Sequence, residues 1–428
     1  MNSWGKVDQD AVLRARVALL ASGRRTRREE VDAFRVLAQV SPAAYLPKLV
    51  GALLGLSSEF RFRDRPEVQL ALCEEALAAA RAVDPAEPAR VELMRRALSD
   101  CQWLLYERGR RAEGLALRAE LLETGRAEAE RAGNARVRGL TEWADAVAEE
   151  GRYDEAADAL TEWVVAILPD GPQHGQLAWS LVRWIGALDA AGRFGEMLAA
   201  YDRLVGVRAA DVAVGHAPVA DHFQSLIGNA RMLDAHERGE RAAAARQKAL
   251  GVLTELAAEG ERRNRSGSRE AEFWAALWSC SAADGGRATP AVPLPPAGAE
   301  ARTWTADARR NDAEGIDALR GEVDALVPRA AEDPDRYLAE LVRIQRTLTV
   351  RAGVWAGREG SEFPEEVRSL FDEGVDLARR LHRLRPADGT RILADRLVER
   401  ASCRVVTGEY GPALDDFREA LSLLGERG

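Results

Sequence analysis

Lysine is nearly absent. Lys6, Lys48 and Lys248 are the only lysines among 60 basic residues, so the other 57 are arginines. A GC-rich coding sequence that favours Arg and Ala explains this bias. Selected Arg forks for carboxylate or phosphate become the better reading only where arginines cluster. Cysteine is scarce too. Cys73, Cys101, Cys280 and Cys403 form no CxxC pair, which excludes the usual zinc and dithiol motifs. All four sit in apolar helical context and read as buried thiols of a reducing compartment. Long apolar runs are missing. The strongest, Trp163 to Leu168, is far short of the roughly 20 residues that span a bilayer. The N-terminus, MNSWGKVDQD, lacks a charged-then-apolar signal pattern. The expected location is therefore cytoplasmic, with no membrane partner. Positive charge is in deficit as well. The net charge is -9, which argues against a nucleic-acid partner, because phosphate neutralisation needs a basic surface.

Catalytic signatures are also lacking. There is no GxSxG elbow, HExxH helix or GxxxxGK[ST] phosphate loop, and Gly353, Gly357 and Gly360 have the wrong spacing for a dinucleotide fingerprint. The histidines are His174, His216, His222, His236 and His382. His216 and His222, six apart, do not share a helix face. With Asp211 and Asp221 they could form a loop metal site, but a solvated loop is the better reading. The sequence thus gives no catalytic residue, no metal ligand set and no cofactor, and the expectation is a protein that is not an enzyme.

What the sequence does contain is helix. Of its 428 residues 46% are apolar and 30% charged, ample for a buried core. Apolar residues recur at three- and four-residue spacing, as in Leu70, Cys73, Leu77 and Ala80. Alternation of β-branched residues is absent. Helices of about 12 to 18 residues broken by Gly, Pro and Asp account for the pattern, and the fold class is all-α.

The helices repeat. Gly151 is followed by Tyr153, Ala156, Leu160 and Trp163. Gly192 is followed at the same steps by Phe194, Met197, Tyr201 and Leu204, and Gly408 by Tyr410, Ala413, Phe417 and Ala420. Gly109 and Gly239 open weaker copies, with Gly114 and Ala244 at the small position. Each step has a physical reason. The Gly ends one helix in a conformation that a Cβ resists. The aromatic covers the turn, the small residue admits the paired helix closely, and the large residue fills the groove. Upstream, a large residue and then a small one precede the Gly, as Leu140 and Ala144, or Leu397 and Ala401. The copy at Gly239 has Gly228 at the large position.

This pattern resembles the tetratricopeptide repeat (TPR) family, in an actinobacterial-type, TPR-like form. The stretches 393–424 and 137–169 match best. Spacings of 42, 41 and 47 residues between Gly109, Gly151, Gly192 and Gly239 exceed the family's usual period. The resemblance implies a right-handed superhelical array of antiparallel helical hairpins, a TPR-like α-solenoid. A second echo relates Pro42, Tyr45, Leu46, Leu49 and Val50 to Pro334, Tyr337, Leu338, Leu341 and Val342. Residues 42–125 and 334–424 then read as two copies of one block. Residues 284–303 carry a Pro- and Gly-rich run. They read as a linker between an N-terminal array, 1–283, and a C-terminal array, 304–428.

In this family the first helix of each hairpin lines a concave groove. Carried over residue by residue, the resemblance places Arg96, Trp103, Tyr106, Arg138, Thr141, Asp145, Trp179, Val182, Asp189, Asn229 and His236 there. Trp103, Tyr106 and Trp179 with flanking arginines would suit an extended or helical peptide. Trp143, Trp163 and Trp184 fall on packing positions and read as core. The family's Lys and Asn carboxylate clamp is not reproduced. The run Arg14, Arg16, Arg24, Arg25, Arg27 and Arg28 is the one basic cluster. Glu29, Glu30 and Asp32 dilute it, so it reads as a solvated face. The expected function is a protein-interaction scaffold or adaptor that takes a protein or peptide in its groove. The alternatives are a ligand-responsive regulator and an enzyme with an unrecognised site. The last helix carries Leu414, Phe417, Leu421 and Leu424, of which Phe417, Leu421 and Leu424 span more than one narrow stripe unless their own hairpin buries them. A second copy of the chain, giving a homodimer through the C-terminal hairpin, or a helix from elsewhere in the chain would cover them.

Overall fold

The structure is a computed structural model that describes residues 8–20, 26–59, 65–168, 176–261, 306–358 and 365–426. The proposed linker 284–303 lies outside the described residues, as do His174, Cys280, Arg24 and Arg25. The described residues form 17 α-helices and no strand. In order they are α1 (Gln9–Leu20), α2 (Arg27–Val40), α3 (Pro42–Ser57), α4 (Pro66–Arg81), α5 (Arg90–Glu107), α6 (Arg111–Ala132), α7 (Leu140–Glu149), α8 (Tyr153–Ile167) and α9 (Gln176–Ala191). Then follow α10 (Phe194–Ala213), α11 (Val219–Ala235), α12 (Gly239–Glu259), α13 (Ala306–Glu332), α14 (Pro334–Arg358), α15 (Glu365–Leu384), α16 (Pro386–Thr407) and α17 (Tyr410–Leu423). Two compact units emerge, Met1–Ala146 and Val147–Gly428. Within each, helices pack on their neighbours in sequence. The architecture of the described residues is all-α, built of helices packed in consecutive pairs.

The repeat positions do what their chemistry predicts. Gly109, Gly151, Gly192 and Gly408 all adopt left-handed φ, at 69°, 75°, 72° and 85°. The small position is tight. A Cβ on Gly114 would lie 2.5 Å from the Tyr106 ring, and Ala156 and Ala413 are buried. Leu160, Tyr201 and Phe417, nine residues after the turn glycine, are core.

The copy at Gly239 is shifted by two. Its left-handed turn residue is Glu237, at φ 59°, while Gly239 opens α12. Counted from Glu237, the large and small upstream positions become Leu226 and Ala230, both buried. The small packing residue is Ala242, which is buried, and not Ala244, which is exposed. A glycine in the right neighbourhood drew the register to the wrong residue. The same count places Arg246 nine after the turn, where Gly109 places Arg118. Both arginines are buried. Arg118 stacks 3.8 Å over the Tyr106 ring and donates to Gln102 Oε1 at 2.7 Å. Arg246 is held by Asp234 and Glu426.

Arginine one residue past the turn forks between elements. Arg110 bonds Glu113 of its own helix and Glu74 of α4. Arg193 bonds Glu196 and, 35 residues back, Asp158 of α8. These pairs add little energy each, but they occur at the same step of two hairpins.

The C-terminal stripe is covered from within the chain. Hairpin α11–α12 packs on hairpin α16–α17. Phe223, Leu253 and Leu256 share one core with Leu397, Phe417 and Leu421. Phe223 and Phe417 meet edge to face at 5.7 Å. Phe417 and Leu421 are 0% exposed. The expectation of a second copy over this stripe therefore gives way to the other cover, a hairpin of the same chain. Leu421→Glu should accordingly lower the denaturation midpoint without changing the mass by light scattering. Ala413→Leu should overpack the α16–α17 crossing by about 1–3 kcal/mol. An unchanged midpoint for it would contradict the hairpin packing.

Candidate functional site

Positions on a helix can be counted back from the turn residue that follows it. On α5 the residues thirteen, nine and six before Gly109 are Arg96, Asp100 and Trp103, at i, i+4 and i+7 of one helix face. Arg96 and Asp100 are exposed, and Trp103 is 44% exposed. Its neighbours Leu104 and Leu105 belong to the core, and the indole stands on the exposed face of the helix beside Arg96 and Asp100.

Tyr106 is not a groove residue. It is 1% exposed, because its ring fills the space that Gly114 leaves and carries the Arg118 guanidinium. Arg138 is exposed and lies 3.8 Å from Glu92 of α5, so it borders the helix that carries Trp103. Thr141 is half-buried and donates to Glu142. Asp145 is buried. These residues belong to the first unit.

In the second unit Trp179 is half-buried, and Val182 and Asp189 are core. Asn229 is buried and donates to Asp202 at 3.3 Å. His236 is half-buried against Phe194, ring centres 4.5 Å apart. Trp184 is core and donates to Thr161 at 2.8 Å. Trp163 donates to Ser180 at 3.1 Å, and Trp143 is half-buried. Of the large aromatic groove candidates, Trp103 is thus the most open.

The polar chemistry that sequence reasoning missed lies where α11 meets α16. Gln224 Nε2 donates to the Ser402 carbonyl at 2.9 Å. Glu399 accepts from Arg231 Nη1 at 2.9 Å, from Arg346 Nε and Nη2 at 3.1 and 2.9 Å, and from Arg396. Burial pushes the Glu399 carboxyl up. Arg346, Arg396 and Arg231 outweigh it and hold it well below the carboxylate range. No local sequence signal marks this cluster: Gln224 and Arg231 fall thirteen and six positions before Glu237, a left-handed turn residue that the sequence does not reveal.

Asp211 and Asp221 do not converge on a cation with His216 and His222. Both face the Arg208 guanidinium, at 3.9 and 3.7 Å, and no metal-binding cluster occurs among the described residues. The run at the N-terminus is dispersed, with Arg14 on Asp8 and Arg27 near Glu59.

No family model matches the sequence, and no curated protein matches it. Among solved structures the chain is similar to BtubC (BKLC) from P. vanneervenii, at 16% identity and a TM-score of 0.39. That match covers 61% of this chain and 98% of that one. It is also similar to a putative kinesin light chain of Podosopora anserina with nearly identical TPR-like repeats, at 15% identity and a TM-score of 0.38. Here 50% of this chain and 98% of that one are covered.

Glu399→Gln should be costly, about 3–5 kcal/mol, because it leaves buried Arg346 and half-buried Arg231 and Arg396 without their shared carboxylate. A carboxyl whose pKa falls on folding adds stability that is present above its unfolded value, near ~4.3, and is lost as the pH drops toward the folded value. Acid unfolding below about pH 4 should therefore be shallower in Glu399→Gln than in the wild type. Superimposable pH profiles would contradict the ion cluster.

Proposed function

We propose that the chain is a non-enzymatic interaction scaffold that binds a protein or peptide along the inner face of α5. Trp103 carries the reading. A large ring 44% exposed on a core helix, flanked by exposed Arg96 and Arg138, is the composition of a recognition surface rather than of a solvated one. The hairpin architecture supports it, since hairpin arrays offer extended inner surfaces. No helix among the described residues is long and apolar enough to cross a membrane. The free thiols Cys73, Cys101 and Cys403 suit the cytoplasm we assign to it. We assign segment 284–303 as the spacer between the two arrays on its composition. A homodimer through the C-terminal hairpin is not part of the proposal, since Phe417 and Leu421 are already covered.

Trp103→Ala should weaken partner binding by about 2 kcal/mol, the size of an interface anchor. Its folding stability should change by no more than about 0.5 kcal/mol, as at a surface site. A loss of about 3–5 kcal/mol in stability, as for a core Trp, would sink the proposal.

A further inference from the structure

Helix α11 shows how an inner helix of this chain grips another helix. Gln224 and Arg231 stand seven apart, two turns along one face. They hold Ser402 and Glu399 of α16, each at 2.9 Å. Asp234 accepts from Arg391 of α16 at 2.7 Å. As α11 runs forward through 224, 231 and 234, its partners run backward through 402, 399 and 391. The gripped helix is therefore antiparallel.

The same two inner positions on α5 are Arg96 and Trp103, counted from Gly109. On α11 the pair is filled. On α5 it is open, with both residues exposed and Asp100 exposed between them. Arg96 and Asp100 form no ion pair or hydrogen bond among the described residues. One cation, one anion and one indole thus stand exposed at i, i+4 and i+7, with the charges of Arg96 and Arg95 acting on Asp100. An antiparallel helix meets such a stripe residue for residue, because it shares the 3.6-residue period. Charge complementarity fixes its order. Read from its N-terminus, it presents an aliphatic residue to Trp103, a cation to Asp100 three residues on, and a carboxylate to Arg96 four residues after that.

We propose that α5 docks an antiparallel amphipathic helix of a partner protein with that order of groups. The inference rests on the scaffold reading above and adds the partner's secondary structure, direction and charge order.

The test uses the full chain and two stapled helical peptides on an alanine and glutamine background, followed by fluorescence anisotropy. One carries Leu-x2-Arg-x3-Glu, the other the swapped Leu-x2-Glu-x3-Arg. The first should bind at least about tenfold tighter, or ~1.4 kcal/mol. The double variant Arg96→Glu with Asp100→Arg should invert the preference, and Trp103→Ala should weaken both peptides. Failure of the first peptide to bind, equal binding of the two, or a preference that does not invert overturns the helix inference. If binding still depends on Trp103 without a charge preference, the scaffold reading stands alone. If Trp103→Ala changes nothing, that reading falls as well.

Discussion

Burial of the last hairpin under α11–α12 is the contact on which the second unit depends. Hairpin arrays leave an apolar stripe at each end, and α17 carries Phe417 and Leu421 on it. Exposed, these two side chains alone would forfeit about 3–6 kcal/mol of transfer free energy. Here Phe223, Leu253 and Leu256 cover them. Hairpins α11–α12 and α16–α17 thus cover each other's apolar faces.

Electrostatics gives that junction its alignment. Apolar contact is non-directional and would tolerate several dockings of the two hairpins. Glu399, shared among Arg231, Arg346 and Arg396, ties α11, α14 and α16 to one arrangement. Sliding α16 along α11 would pull Glu399 away from Arg231 of α11 and Arg346 of α14. On its other side, α16 is fixed to α17 by Arg400, which bonds both carboxylate oxygens of Asp416 at 2.8 and 2.7 Å. The abundance of arginine therefore has a structural use where it meets buried carboxylates, because its planar fork satisfies two acceptors at once.

Much of the hairpin architecture was legible. Turn glycines, small residues five on and large residues nine on are local requirements of a close helix pair, and Gly109, Gly151 and Gly408 meet them, while Gly192 has the buried Met197 at the small position. The register at Gly239 was not legible, since Glu237 takes a left-handed conformation that sequence statistics assign to glycine. Nor was the burial of Tyr106, because its cause, Gly114 and Arg118, sits on the next helix. Trp103 was readable as a groove candidate from its distance to Gly109. The Glu399 cluster was not, as its members lie up to 168 residues apart and nothing local links them.

Native-state amide hydrogen exchange of the full chain tests the junction most directly. If the two hairpins form one cooperative core, the slowest amides of α11, around Phe223 to Ile227, and of α16, around Leu397 to Ala401, open with the same free energy. Phe417→Ala then lowers both together. Exchange of α16 through a smaller opening that leaves α11 protected would contradict the account.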